Sequence, residues 1–313
     1  MNKPDNSPLA PVILYHTSFL PYLPFSLWQN QRTNPDRELI LIGDRSNRIA
    51  GLPYRHEFED GYRGLLGELY ASYHHMCSAH VGDEQRALGR WFVLSEFLRK
   101  NQIEHFYFLD SDFLLFDRLS EWEADWERDE MIGTPLLWGF SFLRSARAVH
   151  EFCQWVLRLY QEPARREAIR QKYASAGSGL AEMGLMSEFF LEAGLPIRNV
   201  NWRNPEARAC FDDGFFGSSY RYHPVDFRSL RQRKVNGPIG YVQDARRRRL
   251  HGIHFIGHQK NQIPGFTGWS PVVWRAFFRP NYRRNMKWLL QYLWNGQRCR
   301  SRLARQSSGE DDA

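Results

Sequence analysis

The 313-residue chain has no apolar run that approaches the roughly 18 residues a membrane-spanning helix requires. Work on a membrane-linked substrate would therefore be done from the surface. The first residues, MNKPDNSPLAPVILYH, lack the charged start and long apolar core of a signal peptide. Cysteine is scarce: Cys77, Cys153, Cys210 and Cys299 are widely separated, with no C-x-x-C pair and no zinc-finger spacing. Reduced thiols in a cytosolic protein are the simpler reading, so the expected location is cytoplasmic. No internal repeat is present.

Aromatic residues, by contrast, make up 15% of the chain, with 11 Trp and 14 Tyr, which serve first as core material. Forty-two Lys and Arg against 35 Asp and Glu leave a net charge of +7. That excess suits phosphates, anionic headgroups or nucleic acid without choosing among them. The length allows one large α/β domain or two smaller ones.

PVILYHTSF reads as a first strand and ELILIGD, at 38–44, as a second. The intervening LPFSLWQNQRTNP has room for a helix closed by Asn34 and Pro35. This β-α-β opening predicts a parallel sheet. Residues 83–101 carry helical apolar spacing, with Asp83 as the expected N-cap and Arg99 and Lys100 in the last turn. The strand HFYFLD follows at once. MIGTPLLWGFSFLRS, at 131–145, holds two short strands; helices are expected from about Ser145 to Gln161 and over 181–194, the second stopped by Gly194. Beyond Asn201 the sequence is loop-rich until RLHGIHFIGHQK restores a strand-like run.

HFYFLDSDFLLF, residues 105–116, poses the chemical problem. An apolar strand delivers two carboxylates, Asp110 and Asp112, to its far end, and an uncompensated buried charge costs several kcal/mol or loses its ionisation. Residues two apart on a strand share a face, about 6.6 Å apart at about 3.3 Å per residue. Hard oxygens so placed suit Mg²⁺ or Mn²⁺, although capping of the following turn would also use an aspartate. In HFIGHQK, His254 could add a borderline nitrogen that favours Mn²⁺. Lys260 could meet a phosphate, and Gly257 would let the backbone approach it.

FYFLDSDFLLF together with HFIGHQK resembles the nucleotide-sugar glycosyltransferases of the GT-A fold, especially those with a C-terminal H-x-x-G-x-x-K. The resemblance covers roughly residues 11–262. It implies an α/β, Rossmann-like, mixed and mostly parallel sheet flanked by helices: an N-terminal extension at 1–10, one catalytic domain at 11–268, and a basic, aromatic C-terminal tail at 269–313 with a disordered end. It further implies a metal site of Asp110, Asp112 and His254 for Mn²⁺ or Mg²⁺. Asp110 would also contact the donor, and Gly257 and Lys260 would hold its diphosphate. Thr17 and Ser18 would lie where such enzymes hold the base, Asp44 matches the acidic residue after the second strand, and Arg90 could reach donor phosphate. Glu182 stands where many members carry an acidic residue near the reacting carbon, as base or as sugar-positioning group; Glu188, Asp212 and Asp213 are weaker candidates. The implied partners are a nucleotide-sugar donor and a saccharide or lipid-linked acceptor, in surface-polysaccharide or lipopolysaccharide synthesis.

Two other readings compete. A phosphohydrolase of the haloacid-dehalogenase type would use Asp110 as nucleophile, but that family wants Thr or Val at the position of Leu114 and usually an early strand. A nucleic-acid-binding protein could use DARRRRLHG at 244–252, yet no recognisable nucleic-acid module is present. The tail from Trp269 reads as a helix packed on the domain; an amphipathic helix at the inner face of a membrane is the alternative.

Overall fold

The computed structural model describes residues 9–123, 131–133, 139–174, 180–200, 211–212, 242–243, 249–255, 260 and 263. Two crossover units build its main sheet. β1 (Val12–His16) and β2 (Leu39–Gly43) pair in parallel, with Val12 opposite Leu39 and α1 (Leu23–Thr33) between them in sequence. β3 (Arg55–Phe58) adds to β2 in parallel, and α2 (Gly64–Ser72) and α3 (Val81–Asn101) then carry the chain to the other side of β1. There β4 (Phe106–Asp110) lies parallel to β1, with Tyr15 opposite Asp110. The strand order thus reverses between β1 and β4. In open α/β sheets, ligands collect in the crevice outside the strand ends at such a reversal.

The order across the sheet is β3-β2-β1-β4-β7-β6-β8. β7 (Phe140–Leu143) is antiparallel to β4, β6 (Met131–Gly133) is antiparallel to β7, and β8 (Ile197–Asn199) is parallel to β6. The result is a mixed, mostly parallel sheet flanked by helices, as the sequence predicts. A second sheet has the order β5-β12-β9, from β5 (Phe113–Leu115), β12 (Gly252–His254) and β9 (Phe211–Asp212). β10 (Val242–Gln243) and β11 (Arg249–Leu250) form a separate antiparallel pair. β4 and β5 are separated only by Ser111 and Asp112, so the D-x-D stretch is the turn by which the chain leaves one sheet and enters the other.

The central strands read as unbroken apolar runs because both faces are covered. Val12, Leu14, Leu39, Leu41, Tyr107 and Leu109 face a core shared with α1, β5 and β12. Ile13, Ile40, Ile42, Phe106 and Phe108 face a second core made by α2, α3, α4 (Ala146–Gln161) and α6 (Glu182–Ala193). Asn30 in α1 closes the open edge of β5: its Nδ2 donates to Phe113 O at 2.9 Å and its Oδ1 accepts from Leu115 N–H at 2.8 Å. A side-chain amide thereby replaces the neighbouring strand that an edge would otherwise demand.

Helix ends follow local chemistry, with one correction. The N-cap of α3 is His80, whose ring nitrogen accepts Gly82 N–H at 3.2 Å, whereas Asp83 lies inside the first turn beside Arg86. An acidic residue is favourable anywhere in that turn, so it does not by itself locate the cap. Gly194 ends α6 with φ of 62°, in the left-handed region where glycine costs least. α5 (Pro163–Ala174), β3, α2 and β8 were not predicted from sequence. The expected catalytic-domain end near 268 and the whole tail lie outside the described residues.

Candidate active site

The antiparallel register of β5 and β12 sets His254 opposite Phe113, and Phe255 N–H donates to Asp112 O at 3.0 Å. That pairing brings an imidazole from late in the chain onto the D-x-D turn. His254 Nε2 lies 3.1 Å from Asp112 Oδ1 and 3.3 Å from Asp110 Oδ2. Lys260 Nζ stands 2.7 Å from Asp112 Oδ2. Asp112 and His254 are buried at 5% and 6% exposure, so their charges interact through protein rather than bulk water.

Arg90 on α3 organises the other side. Its Nη1 donates to Asp110 Oδ1 at 2.5 Å and its Nη2 to Glu182 Oε1 at 3.0 Å. The Trp91 indole N–H donates to the same Glu182 oxygen. The guanidinium also lies 5.5 Å from the ring centroids of both Trp91 and Phe108. Glu182, at the first position of α6, is thus a buried partner of Arg90 and Trp91.

Beneath the turn, Ser111 Oγ lies 2.9 Å from His16 Nδ1 and 3.1 Å from Tyr22 Oη. His16 ends β1, and its carbonyl accepts from the Asn47 side chain. Ser18 adopts φ of 67°, strained for a non-glycine residue, and its N–H donates to Asp44 Oδ2 at 2.5 Å. Asp44 in turn caps the single helical turn Arg45–Asn47 through Ser46. Thr17 sits half-buried between His16 and Ser18. The structure therefore groups Ser18 with Asp44, and Asp110, Asp112, His254 and Lys260 with one another, with Arg90 linking Asp110 to Glu182. Gly257 lies outside the described residues, as does Asp213. Glu188 pairs with Lys172 and Tyr173 away from this group, and Asp212 is placed only by the backbone of β9.

The electrostatics follow from these contacts. Burial disfavours the charged form of Asp112, but His254 and Lys260 outweigh it and hold the carboxyl well below its usual range. Burial likewise opposes a charged His254, and Asp112 reverses that effect and raises its pKa. His16, by contrast, is pushed down to about 4 by burial, partly offset by Asp112, so it is neutral at physiological pH. For Asp44, hydrogen bonds from Ser46, Ser18 and Asn47 overcome burial and lower its pKa.

Two carboxylate oxygens and one imidazole nitrogen, from Asp110, Asp112 and His254, lie within 4.8 Å of one another. This donor set fits a small divalent cation, and the imidazole tilts it toward Mn²⁺ over Mg²⁺. His254 Nδ1, on the other side of the ring, is buried against Gly139 and has no hydrogen-bond partner among the described residues. Ser111, His16, Tyr22 and Gly139 escaped the sequence reading. The hydroxyl between the two aspartates was the signal available for Ser111; Gly139 carried no signal, because its role depends on a residue 115 positions later.

No protein-family model matches the sequence, and no curated protein matches it. Among solved structures, the chain is similar to mouse xyloside xylosyltransferase 1, at 11% identity over 61% of this chain and 85% of that one, with a TM-score of 0.42. It is similar also to the galactosyltransferase LgtC crystallised with donor and acceptor sugar analogues, at 11% identity over 85% and 93%, TM-score 0.45. A third match is the bifunctional glycosyltransferase WbbM, at 10% identity over 91% of this chain, TM-score 0.46. All three are glycosyltransferases. The chain spans 52% of WbbM. At these identities the likeness assigns no activity, which must be argued from the chain's own site. Among the described residues no helix is long and apolar enough to cross a membrane.

Proposed function

We propose that the chain is a metal-dependent GT-A glycosyltransferase that transfers a sugar, a hexose by preference, from a nucleotide-sugar donor to a saccharide or lipid-linked acceptor. Surface-polysaccharide or lipopolysaccharide synthesis is the setting that suits such an acceptor. One observation carries this reading: Asp110 and Asp112 meet His254, which lies 142 positions beyond Asp112 in sequence, beside Lys260 and at the end of β4, next to the point where the strand order reverses. The phosphohydrolase reading needs a free Asp110, whereas this carboxylate is engaged by Arg90 and lies beside His254.

In this reading Asp110, Asp112 and His254 hold Mn²⁺ or Mg²⁺, which when bound supplies positive charge against the departing nucleoside diphosphate. Lys260 offers that diphosphate a point charge at the moment negative charge develops. Gly257 allows a close backbone approach in the same segment. Thr17, Ser18 and Asp44 form the nucleotide end of the crevice, and the strained Ser18 is held in place by Asp44. Arg90 fixes Asp110 for the cation. A general base must reach the acceptor hydroxyl; the Glu182 oxygen engaged by Arg90 and Trp91 instead favours a positioning role for this residue. The membrane-surface role of the tail stays part of the proposal for lipid-linked acceptors.

The test is thermal unfolding of the wild type and Asp112→Ala against a panel of nucleoside diphosphates, with and without Mn²⁺. Stabilisation by one diphosphate that requires Mn²⁺ and disappears in the variant is expected, since ligand binding raises stability by mass action. Stabilisation by no nucleotide under either condition would remove the transferase reading.

A further inference from the structure

Lys260 and Arg90 each neutralise one aspartate of the D-x-D turn, but they are held very differently. Arg90 is locked by two carboxylates and lies beside two aromatic rings, with its side chain 15% exposed. Among the described residues Lys260 has one ionic partner, Asp112, and its ammonium rests 5.6 Å from the Tyr22 ring centroid with the side chain 33% exposed. A lysine ammonium is a compact charge on a flexible stem and can change partners where an arginine fork cannot. Both oxygens of Asp112 are engaged, Oδ1 toward His254 and Oδ2 by Lys260. A divalent cation held by Asp110, Asp112 and His254 would therefore meet a unit positive charge already seated on one of its own ligands.

We propose that Lys260 is an internal counter-ion that competes with the divalent cation for Asp112, so that cation and donor diphosphate bind cooperatively as Lys260 passes from the carboxylate to the phosphate. This inference rests on the metal site proposed above. Without a phosphate, movement of Lys260 away from Asp112 leaves its charge poorly compensated, and the cation binds weakly. A diphosphate gives the ammonium a new anionic partner, and the cation gains the full charge of Asp112. By linkage the two ligands strengthen one another by the same factor. The device would keep the site from retaining a divalent ion when no donor is present.

The test measures Mn²⁺ binding to the full chain without nucleotide, read from the electron paramagnetic resonance signal of free Mn²⁺. Lys260→Met and Lys260→Gln are expected to bind Mn²⁺ at least about tenfold more tightly than the wild type, because a unit charge beside the ligand oxygen is gone. Lys260→Arg keeps the charge and is expected to stay within about threefold of the wild type on the same grounds. Nucleoside diphosphate at saturating concentration should tighten Mn²⁺ in the wild type and much less in Lys260→Met. Equal or weaker Mn²⁺ binding by both neutral variants, with clear binding by the wild type, would overturn the exchange and leave the metal site standing. Absence of Mn²⁺ binding by the wild type and every variant would overturn the metal site and the exchange together.

Discussion

The space beside Gly139 is filled by the ring of His254. A Cβ built on Gly139 would lie 2.8 Å from His254 Cγ and 2.9 Å from Cε1, and closer still to Nδ1. Ordinary van der Waals contact begins near 3.4 Å, so Gly139→Ala requires the ring to retreat by the order of 1 Å. The ring cannot do this freely, since it is buried, carries Asp110 and Asp112 at its Nε2, and has Phe113 at 6.1 Å between centroids. Overpacking of this kind costs about 1–3 kcal/mol. It should also damage metal binding, because ligand distances tolerate only about 0.2 Å. Urea unfolding followed by circular dichroism would report the first effect, and Mn²⁺ titration the second. Repeating Gly139→Ala in a His254→Ala background isolates the clash, and there the added cost should fall to within about 0.5 kcal/mol. Wild-type stability together with wild-type Mn²⁺ binding in Gly139→Ala would refute the packing account.

Two further outcomes are expected away from Asp110, Asp112 and His254. Glu84, in the first turn of α3, is 6% exposed, and burial together with the charge of Glu182 raises its pKa from 4.5 to about 7. Between those values the folded state holds a proton that the unfolded state has lost, so stability is full below pH 4.5 and declines as pH rises to about 7. Glu84→Gln should therefore flatten this part of the pH–stability curve and stabilise the protein at pH 8 by at most about 3 kcal/mol; a variant that tracks the wild type from pH 4.5 to 8 would contradict it. Asn30→Leu orphans the carbonyl of Phe113 and the N–H of Leu115, at a cost of about 2–4 kcal/mol in chemical unfolding; a loss below about 0.5 kcal/mol would mean that β5 is not held through Asn30.

The parts of the fold that were legible are those whose signals are local. The apolar runs of β1, β2 and β4, the helical spacing of α3 and α4, and the glycine after α6 each fix an element without reference to the rest of the chain. The missed elements lack such a signal. β3 is Arg55-His56-Glu57-Phe58, polar because it is an edge strand. α5 is nearly all polar on its exposed surface and is anchored by ion pairs such as Arg165 with Glu192. In the candidate site, the grouping of Asp110, Asp112, His254 and Lys260 follows two motifs visible in the sequence, but the bond from Arg90 to Glu182 does not, because it joins two helices 92 positions apart. Neither does the layer of His16, Ser111 and Tyr22, whose residues look ordinary in isolation.

A D-x-D pair is common by chance, and its meaning here comes from where the chain turns. Asp110 is the last residue of β4 in the main sheet, and Asp112 immediately precedes β5 in the second. One carboxylate thus ends a strand of the main sheet and the other sits in the turn that enters the second sheet, so the two approach one point from different directions, which a continuous strand would prevent. Each direction is then fixed independently. Asp110 is tied to α3 and α6 through Arg90 and Glu182, while Asp112 is tied to β12 through its carbonyl and His254. Loosening of β12 would withdraw His254 and the segment bearing Lys260 while leaving Asp110 and Arg90 in place. The pairing of β5 with β12 is consequently what sets His254 beside both aspartates, and a cation held by all three residues, as proposed, would stabilise that pairing through its binding free energy.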